Sequence, residues 1–205
     1  MGKFAFKKEP IMEVVAGLVD GSITSLVVII SAFIATLTAN TTFLGNPKTI
    51  VFAAFLTLSA LAINNFSSFL LGGITEDLAD IMTLQNLMNY SLSDIPDKKE
   101  RDKSLLLVQK LFILLGKEIH RSNLFAAIIC GTTTFIAGII PIATYLVLPP
   151  YYNIIVSLMI VLAISGVFLA RYRSKKTRGK WKVTLAETIA IVIIATAVSL
   201  LLGLI

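Results

Sequence analysis

One cysteine, Cys130, and one histidine, His120, are all that 205 residues offer of two side chains that commonly build zinc, haem and copper sites. A lone cysteine excludes an internal disulfide and any multi-cysteine metal site within one chain. A lone histidine excludes a multi-histidine cluster within one chain. Charge is scarce too. Asp, Glu, Lys and Arg make up 15% of the residues, against about 25% in soluble domains. The first apolar block is not expected to be a removable signal peptide, because it exceeds the roughly 7–15 residues of such a core and contains two acids. No soluble tail is expected at either end.

What the chain has instead is apolar length. Hydrophobic residues are 56% of the total, mean hydropathy is +0.87, and the apolar residues fall in long blocks rather than alternating. A bilayer-crossing helix needs about 20 such residues. The sequence therefore predicts an all-α, multi-pass integral membrane protein with five spans, at 11–38, 49–72, 123–148, 151–170 and 183–204. Its length suits one domain, organised as 1–72 (spans one and two), a 73–122 insertion, and 123–205 (spans three to five). The link 39–48, "ANTTFLGNPK", has the Gly and Pro of a turn, and Pro149 and Pro150 mark a tight link between spans three and four.

The formal charge of +6 does not imply nucleic acid, because the basic residues cluster at the ends of apolar spans. Charge there reports membrane orientation and headgroup contact. Lys3, Lys7 and Lys8 precede the first span, and "RYRSKKTRGKWK" at 171–182 follows the fourth; the 39–48 link carries only Lys48 and the 149–150 link no charge. With five spans, both basic segments lie in the cytoplasm when the N-terminus does, and the C-terminus lies on the opposite side.

The 73–122 stretch carries charges of both signs and would hang in the cytoplasm as a small helical subdomain. In "TEDLADIMTLQNLMNY", Leu78, Ile81, Met82, Leu84, Leu87 and Met88 recur at helical spacing, with Glu76, Asp77 and Asp80 in the first turns, where acids suit a helix N-terminus. This stretch either opens a new helix or continues the second span. "SDIPDKKERDK" reads as a turn, and a second amphipathic helix follows over about 97–121.

Within the first span, Glu13 and Asp20 stand out. They are seven residues apart, close to two turns, so they share a helix face about 10 Å apart along the axis. Glu13 falls near the cytoplasmic mouth and Asp20 two turns deeper. A carboxylate inside a membrane costs several kcal/mol unless paired or hydrated, and is by default a functional-site hypothesis. Ser22, Thr24, Ser25, Ser31 and Thr36 in the same span could line a hydrated surface. Gly17 and Gly21 have the spacing that lets another helix approach closely.

The second span adds Asn64 and Asn65, whose amide oxygens, like carboxylates, are hard donors for Mg, Ca or Mn. An interhelical hydrogen bond, typically worth about 0.6 and at most about 1.7 kcal/mol, accounts for them equally well. Glu187 in the fifth span reads as a partner for the adjacent basic loop. In the insertion, Glu76 and Asp80 are four apart and Asp77 and Asp80 three apart, so each pair shares a helix face, and with Met82, Met88, Glu118 or His120 they could form a mixed cation site. No spacing there matches an established metal motif, and a solvated acidic face is the simpler account.

The stretch "EVVAGLVDGSITSL", with Glu13, Gly17, Asp20 and Gly21, resembles the first-helix signature of the vacuolar iron transporter family. "AGIIPIATYL", with Gly138 and Pro141, is similar to that family's third span, and the basic loop before an Ala-rich span ending "LLLGLI" is similar to its close. The resemblance implies a homodimeric carrier that moves Fe²⁺, and often Mn²⁺, out of the cytosol in exchange for protons. It implies that Asp20 and a second-helix methionine line the path, that Glu13 is an acid at its mouth, and that the insertion holds a metal-binding domain rich in Glu and Met. Here the methionine position falls at about Asn65 and the insertion is poor in glutamate. Those departures move the expected substrate toward a harder ion such as Mn²⁺.

The residues suggest the mechanism independently. Desolvation favours the protonated form of a carboxylate and a bound cation favours the ionised form, so a buried Asp20 would exchange a proton for a metal ion. The partners expected are membrane lipid, divalent cations, protons and a second copy of the chain; no resident cofactor is expected. A transporter of the same fold for another substrate, and a non-transporting scaffold that docks a partner or anionic lipid through its basic loop, are the alternatives. An enzyme is not expected, because no nucleophile–base pair is visible and His120 sits beside Arg121 at a helix end.

Overall fold

The computed structural model describes residues 10–38, 47–94, 96–149, 152–177 and 181–204. They are almost entirely helical: α1 (Ile11–Thr38), α2 (Pro47–Ser93), α3 (Lys98–Val147), α4 (Asn153–Val161), a π-helical segment (Leu162–Phe168), α5 (Leu169–Thr177) and α6 (Trp181–Leu204). Lys3, Lys7, Lys8, the 39–46 part of the first link, Pro150, Arg178 and Lys180 fall outside the described residues.

Local chemistry sets the ends of these helices. Pro47 opens α2, the position where a missing N–H is no loss and the fixed φ already suits a helix. Asp97 caps α3: its Oδ1 accepts the Lys99 N–H at 2.8 Å and its carbonyl accepts the Arg101 N–H at 3.0 Å. Glu100 in the first turn adds favourable charge there. The Pro149 carbonyl accepts the N–H groups of Tyr152 and Asn153 at 3.0 and 3.1 Å, which turns the chain into α4.

One expected boundary is absent, and the 73–92 stretch takes the second of the two courses open to it. The 73–92 stretch continues the second span, so α2 is a single helix of 47 residues. The amphipathic helix expected at 97–121 runs without a break into the span expected at 123–148, giving a 50-residue α3 that passes straight through Pro141. Gly72 and Gly73 weaken a helix without ending it, and no proline lies between 48 and 95 or between 97 and 140. The basic stretch expected as a loop from 171 is helical as far as Thr177.

Among the described residues, four helices are long and apolar enough to cross a membrane, over Ile11–Ser31, Lys48–Ser93, Lys98–Val147 and Trp181–Val198; the apolar helix Asn153–Ile164 is shorter. The expected fourth span is thus a helical run that changes hydrogen-bond register in the π segment. π-Bulges of this kind occur often at functional sites.

The chain divides into two compact units, one formed by Met1–Asn65 with Ile129–Ile205 and the other by Phe66–Ile128. In the first, Ile29 of α1, Ile50, Ala54 and Leu58 of α2, and Ile142 and Tyr145 of α3 form one buried cluster. A second cluster joins Leu26, Ile30 and Ile34 of α1 to Val161 of α4 and Val192 of α6. The buried Ser157 hydroxyl of α4 donates to the Pro141 carbonyl at 3.1 Å. Much of α6 stays exposed, including Ile193, Ile194 and Leu201, as expected of a helix that is apolar all round and faces lipid. In the second unit, Ile81 of α2 packs with Val108 and Phe112 of α3, flanked by Leu92, Leu115 and Ile119.

Candidate cation site

The site forms where α1 and α3 come unusually close. Gly17 and Gly21 of α1 lie against α3: a Cβ at Gly17 would sit 2.7 Å from the Cys130 carbonyl oxygen and 2.9 Å from the Thr134 nitrogen, and one at Gly21 would strike the Thr134 carbonyl. Across from them, a Cβ at Gly138 would meet the Ser25 hydroxyl at 2.8 Å and the Gly21 carbonyl oxygen at 2.9 Å. The glycine spacing noted in the sequence therefore serves a contact within the chain. It gives no support to an interface between copies.

Asp20, one residue before Gly21, is half-buried. Its Oδ2 accepts a hydrogen bond from Asn65 Nδ2 of α2 at 2.9 Å. The same Nδ2 donates to Thr134 Oγ1 of α3 at 3.0 Å, and Thr134 Oγ1 donates to the Cys130 carbonyl at 2.8 Å. Asn65 is 7% exposed and Thr134 0%. Three helices thus meet through one short polar chain in an otherwise apolar setting. Neutral donors around a carboxylate offset its desolvation without removing its charge.

Glu13 is half-buried in the first turn of α1, where the helix N-terminus favours a carboxylate. Both Glu13 and Asp20 lie within electrostatic reach of the buried Cys130 thiol. Ser22 and Ser25 do not line a hydrated surface as expected. Ser22 and Ser25 are buried, and their hydroxyls turn back to main-chain carbonyls: Ser22 to Leu18 at 2.7 Å, Ser25 to Gly21 and to Gly138 at 2.8 Å each. Thr24 and Ser31 are half-buried. The side chain of Thr36 is not among those described.

Of the two asparagines in the second span, Asn65 joins Asp20 and Asn64 is exposed. Adjacent helical positions are about 100° apart, so one can face in only if the other turns away. Thr134 was not foreseen. Its signal was "GTTTF", three hydroxyls in an apolar run with Thr134 four residues before Gly138, a small-residue face opposite the glycines of α1.

The second unit holds the other candidates. Asp77 is half-buried and its Oδ2 accepts from Asn123 Nδ2 at 2.8 Å. Gly73 makes room for this pair, since a Cβ there would lie 3.0 Å from Asn123 Oδ1. Glu76, Asp80, Glu118 and His120 are exposed, as are Met82 at 66% and Met88 at 38%. Among the described residues, no three of His, Cys, Asp or Glu come together.

Comparison with known families supplies the remaining link. Residues 72–204, well over half of the chain, match the family model described as VIT family. The chain belongs to the VIT family. With its long apolar helices, VIT membership identifies an integral membrane protein of a vacuolar iron transporter family and supports transport of divalent metal ions. The VIT match begins at residue 72, so the Glu13–Gly21 stretch that first suggested the resemblance lies outside it. No curated protein and no solved structure matches.

Proposed function

We propose that this protein is a proton-coupled carrier that moves a divalent cation, Mn²⁺ or Fe²⁺, out of the cytosol, with Asp20 as the carboxylate that binds it. The observation that carries this reading is the half-buried Asp20 in an apolar helix, with one oxygen held by Asn65. Membership of the VIT family supports the substrate class. Loss of water favours the protonated carboxylate and an arriving cation the ionised one, so a single group that alternates between proton and metal links the two fluxes.

In this reading, Glu13 concentrates cations at the mouth of the path. The basic segments at 3–8 and 171–182 hold the N-terminus and the 73–122 stretch on the cytosolic side, which with five spans leaves the C-terminus outside. The acids and methionines of 73–122 gather cations before entry, and the working unit is a homodimer. The chain transports and does not catalyse.

Purified protein in sealed vesicles tests the proposal. Mn²⁺ or Fe²⁺ added on one side should drive protons from the opposite compartment towards that side, and Asp20→Asn, which keeps the shape and removes the charge, should abolish it. Undiminished flux in that variant would falsify the role given to Asp20.

A further inference from the structure

We propose that Asn65 is a positioning residue for the cation, not one of its ligands. This inference rests on the reading of Asp20 as the cation-binding carboxylate and adds how that carboxylate is aimed. A threonine hydroxyl has one proton to give. Thr134 donates its own to the Cys130 carbonyl at 2.8 Å, so towards Asn65 its oxygen can only accept. That fixes the amide: Asn65 must turn its NH₂ group, not its oxygen, towards Thr134. The two hydrogens of the NH₂ group are then divided between Thr134 Oγ1 at 3.0 Å and Asp20 Oδ2 at 2.9 Å.

The polarity runs one way, from the α3 backbone through Thr134 and Asn65 to Asp20, and leaves no choice about which end of the amide faces the carboxylate. A donating NH₂ group repels a cation. Oδ2 of Asp20 gives one of its acceptor sites to this group, which favours Oδ1 as the oxygen that meets the metal ion. Burial of Asn65 and Thr134 keeps water from competing for these bonds. Such indirect partners orient a metal-binding group, and their loss typically weakens metal affinity about 10- to 100-fold.

Binding of Mn²⁺ to the detergent-solubilised protein, followed by electron paramagnetic resonance, together with Mn²⁺ uptake into vesicles, tests this assignment. Asn65→Leu should raise both the Mn²⁺ Kd and the transport KM about tenfold or more while maximal flux stays within about threefold. Thr134→Val, nearly isosteric, should raise KM by less, because Asn65 keeps its bond to Asp20 but loses its anchor. Thr134→Ser retains the hydroxyl and should return KM to that of the unmodified chain. Asn65→Leu with unchanged Kd and KM overturns the inference. So does a loss of maximal flux in Thr134→Val that Thr134→Ser fails to restore, since that pattern marks packing alone. If Asp20→Asn abolishes binding while Asn65→Leu does not affect it, the positioning role fails and the carrier reading stands. If Asp20→Asn leaves Mn²⁺ binding intact, both fail.

Discussion

Asp20 and Asn65 are 45 positions apart in the chain and joined by a hydrogen bond of 2.9 Å across two membrane-spanning helices. The bond exists because α1 and α3 share a glycine-lined contact that brings Thr134 within reach of the same amide. Backbone proximity, an amide NH₂ group shared between two acceptors and a half-buried acid belong to one construction. Disturbing any of them should register at the carboxylate.

Asn64 provides the internal control. It neighbours Asn65 in sequence but is exposed. Substitutions at exposed positions usually change stability by no more than about 0.5 kcal/mol. Asn64→Leu should therefore leave the Mn²⁺ KM of reconstituted vesicles within about twofold, whereas the same change at Asn65 should not. Equal effects at both positions would mean that both amides act on the path.

The glycines separate into two kinds. At Gly21 a methyl group would collide with the backbone of Thr134, which cannot rotate away, while nothing lies within 4 Å of a Cβ added at Gly116. Overpacking typically costs about 1–3 kcal/mol, and relief of glycine's backbone entropy in a helix gains about 0.5–1 kcal/mol. Gly21→Ala should lower the unfolding temperature in detergent and Gly116→Ala should hold or raise it. Scanning calorimetry decides the sign of each.

Much of the site was legible because it broke a pattern. A carboxylate such as Asp20 in an otherwise apolar run announces itself, and the turn around Pro96 was readable from its residues. Pairing between helices was not legible, because it depends on how each helix is rotated. Nothing in the order "INNF" says that Asn65 and not Asn64 faces α1, and nothing near Thr134 names its partner 69 residues earlier. The helices that carry the second and third spans reach further than hydropathy marks, for a different reason. Hydropathy falls at 73 and rises again at 123, but a drop in hydropathy does not end a helix. The break between α2 and α3 comes at Pro96, three residues past Ser93, and Asp97 then starts α3, which runs on through Pro141. The register change at Leu162–Phe168 left no sign in composition at all.

The Asp77–Asn123 bond in the second unit makes a separate prediction. A hydrogen bond to a charged group is worth about 1.5–3 kcal/mol when buried, and this one is only partly buried, so about 1 kcal/mol is the expected loss in Asn123→Ala once solvent screening is allowed for. Amide exchange should quicken in residues near 73–81 and 119–127. Exchange that stays at the rate of the unmodified chain would show that the bond is incidental to the packing of Ile81, Val108 and Phe112.

Cys130 offers a direct reporter on the assembled contact. It is the only cysteine in the sequence, it is wholly buried, and its carbonyl anchors Thr134. A thiol-reactive fluorophore should leave the folded protein unlabelled and react as the helices part on heating. Because a ligand that binds only the folded state stabilises it by RT ln(1 + [L]/Kd), about 2.7 kcal/mol at a hundredfold excess over Kd, saturating Mn²⁺ should raise the labelling midpoint. Mn²⁺ prefers oxygen donors and binds a thiol weakly, so the shift reports the carboxylate rather than Cys130 itself. It should vanish in Asp20→Asn and require higher Mn²⁺ in Asn65→Leu. A shift of the same size in Asp20→Asn would locate the stabilising ion elsewhere in the chain.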